Sequence, residues 1–77
     1  AFGFSQRGPY ADRPAYDDLI QGMAGIPALS AIAAGEPRYA PLVLADRVVA
    51  LQLANAVLGA LLHRARTGRG QRVDVPM

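Results

Sequence analysis

Cysteine, tryptophan and lysine are all missing from these 77 residues. Without cysteine the chain has no disulfide to staple a small fold and no thiolate to hold a structural metal. The same absence fits a reducing compartment, and a cytoplasmic protein is expected. Without lysine, all eight basic residues are arginine, and six acids bring the net charge to only +2. That near balance argues against a nucleic-acid partner. The start lacks a charged segment followed by an apolar core, so no signal peptide is expected. His63 is the single histidine and stands apart from any acid cluster, which makes a metal site unpromising.

What is present is largely apolar: 52% of the residues are hydrophobic. A chain this short is at most one small domain, and an isolated core of this size is marginal. It begins at Ala1 and stops at Met77, directly after a strand-like run. The expectation is therefore a partial domain over 1–77, incomplete at both ends.

Along the chain, "AFGF" reads as the end of a strand. Gly8-Pro9 and Arg13-Pro14 mark a loop up to Ala15, because the residue before a proline is pushed out of helical space. "YDDLIQGMAG" reads as a short helix, with Asp17 or a neighbour as cap and Leu19, Ile20 and Met23 on one face. Gly25 and Pro27 stop or kink it. "PALSAIAAGEPRYAP" reads as a small-residue stretch ending in a polar loop. From Leu44 to Arg66 the chain is free of proline and rich in alanine and leucine, which predicts one long helix. His63, Arg64 and Arg66 suit the negative end of its dipole, and Gly68 supplies the stop. "RVDVPM" reads as a short strand with Val73 and Val75 on one face.

The long helix is apolar nearly all round, apart from a stripe of Gln52, Asn55, Gly59 and His63. Such a helix belongs inside a larger body. It is a poor membrane span, because Asp46 and Arg47 bound the apolar run on one side, His63 and Arg64 bound it on the other, and Gln52 and Asn55 interrupt it. "RARTGRGQR" places Gly68 and Gly70 where free amides would bind an anion, but it also reads as a helix C-cap and a turn with solvated arginines. Asp46, in "PLVLADRVVAL", has three readings on pattern alone. It is a helix N-cap, an ion-pair partner of Arg47, or a nucleophile that the helix terminus keeps ionised.

Three ordered blocks, "GPYADRPAYDDLIQGMAG", "GEPRYAPLVLADRVVAL" and "HRARTGRGQRVDVPM", resemble the central segment of the class III (CaiB/BaiF-type) CoA-transferases. The resemblance runs from Gly8 to Met77. It implies a piece of an α/β enzyme with a Rossmann-like large domain that assembles as an interlocked homodimer. The piece itself would be mainly helical, with a short strand at each end. The implied reaction moves CoA between an acyl-CoA thioester and a carboxylic acid, through an aspartyl-acyl anhydride and an aspartyl-CoA thioester. Asp46 matches the catalytic aspartate. The CoA thioester would be a substrate, with no permanently bound cofactor, no metal, no nucleic acid and no membrane.

The family also includes alpha-methylacyl-CoA racemases, which pair this aspartate with an upstream histidine. In "AYD" the matching position is Tyr16, thirty residues before Asp46. A phenol with a pKa of about 10 is a poor acid/base partner at neutral pH. Tyr16 therefore fits the transferase branch, as a substrate-binding wall. The alternatives carried forward are racemase-like proton transfer with Asp46 as acid/base, and a non-catalytic helical interaction or membrane-associated module in which Asp46 only caps. Residues that contact CoA and a glycine-rich lid lie outside this segment in the family, so the segment alone is expected to be inactive.

Overall fold

The computed structural model describes all 77 residues, with three helices: α1 (Asp17–Met23), α2 (Ile26–Ala34) and α3 (Leu44–Thr67). Between the opening "AFGF" and α1 the chain forms the expected loop. Turns close it through N–H groups of Gly8, Ala11 and Arg13 donating to the carbonyls of Ser5, Gly8 and Tyr10. The rings of Phe4 and Tyr10 pack with centroids 5.3 Å apart.

The terminal strands are not formed, which corrects the sequence reading. The two ends meet in one parallel bridge between Phe2 and Pro76. The Phe2 N–H donates to the Val75 carbonyl at 3.3 Å, and the Met77 N–H donates to the Phe2 and Gly3 carbonyls at 3.2 and 2.9 Å. Pro76 has no N–H with which to extend the ladder. The alternation expected of "RVDVPM" does survive: Val73, Val75 and Met77 are half-buried, while Arg72, Asp74 and Pro76 are exposed.

A second difference is α2, in a stretch read as small-residue sequence and loop. Gly25 takes φ 80° and turns the chain out of α1, and Pro27 then sits in the first turn of α2. There a missing N–H costs nothing and the fixed φ is already helical. The feature that ends one helix therefore begins the next. The long helix is as expected, 24 residues or about 36 Å. It closes at Gly68, whose φ of 70° is left-handed and whose N–H donates to the Arg64 carbonyl at 2.8 Å. That amide is spent on the cap, so Gly68 offers no free donor to an anion. Thr67 reinforces the end, its hydroxyl donating to the His63 carbonyl at 2.8 Å.

α1 packs against both α2 and α3. Even so, no apolar residue is fully buried, and the one buried side chain is Gln21, at 3% exposure. The radius of gyration is 16.0 Å, against about 11–12 Å for a compact chain of this length. The accessible surface is 5960 Å², against about 4,500 Å² for a folded monomer of this mass. The flank of α3 adds to this exposed surface, with Leu51, Leu58, Leu61 and Leu62 all open. By length and composition alone, α3 is long and apolar enough to cross a membrane.

Candidate active site

The site is built where two helices begin. Tyr16 is the N-cap of α1, in extended conformation at φ −124°, and its carbonyl accepts the Ile20 N–H at 3.0 Å. The next residue, Asp17, uses its side chain to join its own helix to the start of α3. Oδ1 accepts the backbone N–H of Asp46 at 3.1 Å, and Oδ2 accepts from Gln21 Nε2 at 2.5 Å. The backbone amides of Ala45 and Leu44 add to the pull on this charge without reaching hydrogen-bond geometry. These are first-turn amides of α3 that have no partner within the helix. Burial pushes the Asp17 carboxyl up, but the bonds from Gln21 and Asp46, with the nearby amides of Ala45 and Leu44, outweigh it and hold the group below the ordinary carboxylate value.

Gln21 holds the far side of this junction. Its Nε2 also donates to the Leu42 carbonyl at 3.3 Å, and its Oε1 accepts the Ala40 N–H at 2.9 Å. One buried amide thus ties α1 to the segment that leads into α3. Both donors and the acceptor are engaged, as burial of such a group requires.

Asp46 is not the cap of α3. It is the third residue of the helix, the N-cap position is held by Val43, and no side chain at that position bonds the helix. The cap comes from Asp17, 29 residues earlier. The Arg47 partnership is also absent, since the ion pairs present are Arg38–Glu36 and Arg72–Asp74. Asp46 is exposed, its carboxylate makes no hydrogen bond, and it lines a mostly apolar cleft. Val49, Ala50 and Leu53 wall the cleft on the helix side, and Phe2, Gly3 and Met77 wall it from the chain ends. The other five carboxylates are placed differently. Asp17 is consumed by the cap, Asp18 bonds the Leu19 amide, Glu36 and Asp74 are paired with arginines, and Asp12 stands in the loop before α1.

A second apolar cleft lies between α1 and α3, lined among others by Ile20, Ala24, Leu44 and Val48, and it carries no carboxylate. Tyr16 lines neither cleft and is 67% exposed. The fold brings positions 16 and 46 to adjoining helix starts through Asp17, although the two side chains share no hydrogen bond. The pair that sequence reading missed is Asp17 and Gln21 acting together. Its signal is a polar residue at i+4 from an acid, within the apolar run of a seven-residue helix.

Comparison with known proteins follows the same segment. A model of CoA-transferase family III matches residues 1–77. Over 75 residues, or 97% of the chain, the sequence is 37% identical to a succinate–glutarate CoA-transferase of Agrobacterium fabrum, of which it covers 19%. Over the same share of the chain it is 36% identical to a formyl-CoA:oxalate CoA-transferase of Escherichia coli, of which it covers 18%. The chain thus spans less than a fifth of the length of these relatives. No solved structure matches it significantly.

Proposed function

Because this chain belongs to CoA-transferase family III, we propose that its protein transfers CoA from an acyl-CoA thioester to a carboxylic acid, with Asp46 as the nucleophile. The observation that carries the residue assignment is the state of Asp46: an exposed carboxylate without a hydrogen-bond partner, in the first turn of a helix, on a largely apolar cleft. A helix N-terminus favours the ionised form, which is the nucleophilic one.

In the first step a carboxylate oxygen of Asp46 attacks the thioester carbonyl, the C–S bond breaks, and CoA leaves as thiolate. An aspartyl-acyl anhydride remains. The thiolate then attacks the aspartyl carbonyl, the donor acid departs as carboxylate, and an aspartyl-CoA thioester forms. The acceptor carboxylate attacks that thioester and regenerates an anhydride with free thiolate. Thiolate attack on the acceptor's acyl carbon releases the new acyl-CoA and restores Asp46. No net proton or electron is exchanged and no ATP is consumed, because one thioester replaces another. The apolar walls protect the anhydride from water. Tyr16 supports transfer over proton abstraction, since a phenol is a weak base partner at neutral pH. The large unburied surface supports a bigger body around the segment. Under the same proposal that body carries a Rossmann-like α/β domain, forms an interlocked homodimer and works in the cytoplasm.

The test uses the full-length protein. It is incubated with succinyl-CoA or formyl-CoA and with oxalate or glutarate as acceptor, and intermediates are trapped with hydroxylamine and mapped by mass spectrometry. A hydroxamate on Asp46, and loss of turnover in Asp46→Ala, are expected. An adduct on another carboxylate would remove Asp46 from the nucleophile's role while leaving the transfer reaction standing. Deuterium exchange at the acyl α-carbon without any adduct would replace transfer by racemisation.

A further inference from the structure

We infer that Asp17, backed by Gln21, is a positioning residue that sets the first turn of α3 and so aims Asp46 into its cleft. The inference rests on Asp46 being the reacting carboxylate. Three facts carry it. The long helix has no side-chain cap of its own, because Val43 occupies the N-cap position. The amide of Asp46 instead donates to a carboxylate from another helix, and those of Leu44 and Ala45 lie beside it. That carboxylate is itself held through its second oxygen by the most buried side chain in the structure, Gln21. Gln21 also grips Ala40 and Leu42, so the approach to α3 and its first turn are fixed from the same point.

The consequence is mechanical. A carboxylate nucleophile must meet the thioester carbon at near-attack distance and angle, and an error of about 1 Å costs as much as a hundredfold in rate. Asp46 projects from the turn that Asp17 pins by its backbone. Releasing that turn lets Asp46 move while leaving whatever binds the CoA moiety in place. The loss should therefore fall on kcat and spare KM.

The experiment uses the full-length protein with succinyl-CoA and oxalate or glutarate, and compares Asp17→Ala, Asp17→Asn and Asp17→Glu. Asparagine keeps an acceptor oxygen at the same reach, and it caps helices as well as aspartate does. Glutamate keeps the charge but moves the oxygens by one methylene. Per folded molecule, kcat is expected to fall by at least about tenfold in Asp17→Ala and Asp17→Glu, with KM within about twofold, while Asp17→Asn stays within about threefold of wild type. Asp17→Glu serves if Asp17→Ala does not fold. Unchanged kcat in both Ala and Glu variants, or an Asn variant as impaired as Ala, overturns the inference. Amide hydrogen exchange over 44–46 is read in parallel and needs no activity. It should accelerate in Asp17→Ala or Asp17→Glu, and unchanged exchange also overturns the inference. A wild type with no transferase turnover, or an Asp46→Ala variant with full turnover, instead sinks the catalytic reading of Asp46, and the exchange result then judges the cap by itself.

Discussion

The backbone N–H of Asp46 donates to Oδ1 of Asp17 at 3.1 Å, across 29 residues of sequence. This bond reverses the roles that pattern alone assigns to the two acids. Aspartate near a helix start is the commonest of caps, and both residues lie near one. Asp17 caps the neighbouring helix, and Asp46 is left with its side chain unengaged. The division has a chemical use. A carboxylate held by a helix amide and by Gln21 has its oxygens engaged and is a weak nucleophile, while one with open oxygens is free to attack.

The first prediction concerns acid. In the folded state the Asp17 carboxyl lies below its ordinary value of 3.8. The unfolded chain thus binds the proton more readily, and ionised Asp17 stabilises the fold at pH values above that ordinary value. The contribution is lost as pH falls from there through the lowered folded value. Asp17→Asn should remove this part of the pH dependence. Melting temperatures of the full-length protein and the variant, followed from about pH 6 down to about pH 2, should converge on the acid side. Parallel curves would contradict the assignment.

Gln21 makes the second prediction. Replacement by leucine fills a similar volume but leaves the Ala40 N–H and the Leu42 carbonyl without their partner and frees Asp17 Oδ2. Each buried polar group left unsatisfied costs about 1–3 kcal/mol. Gln21→Leu should lower stability by about 2–4 kcal/mol in denaturant titration, although leucine is the better residue for burial. A neutral or stabilising effect would mean that water already serves these groups.

How far these features were legible depends on the range of the interaction. The long helix was legible because its signals are local: twenty-odd residues without proline, arginines in the last turn, and Gly68 one residue past the end. The left-handed glycine and the alternation that puts Val73 and Val75 on one face are local too. The second helix was missed because Gly25 and Pro27 are breakers in one context and starters in the other, and only the chain direction decides. The terminal strands failed because a strand needs a partner, and one bridge is all these ends supply to each other. At the site, Asp46 and Tyr16 could be singled out by resemblance. The Asp17–Asp46 bond could not, since no local rule links residues so far apart.

A third prediction separates scaffold from site. Gly68 holds φ 70°, and a Cβ added there would meet nothing within 4 Å. The cost of Gly68→Ala is then purely conformational, about 1 kcal/mol for an L-residue in the left-handed region. By helical rise the residue lies about 33 Å from Asp46. Melting temperature should drop by a few degrees while kcat and KM stay unchanged. A change in turnover would show that the far end of α3 contributes to the chemistry.

The fourth prediction tests the wall opposite α3. Gly3 lines the Asp46 cleft, and its backbone runs so close to the loop before α1 that a Cβ there would lie 2.7 Å from the Cβ of Ala15. Neither methyl can rotate away, so Gly3→Ala must push the backbone apart. Such overpacking costs about 1–3 kcal/mol. The displacement should reach both sides of the site, because Gly3 also accepts the Met77 N–H and Ala15 immediately precedes Tyr16. Gly3→Ala is expected to reduce both stability and kcat. Adding Ala15→Gly removes the opposing methyl and should restore most of the loss, so that the two changes are strongly non-additive. If the double variant is as impaired as the sum of the singles, the close approach of these two segments is not what shapes the cleft.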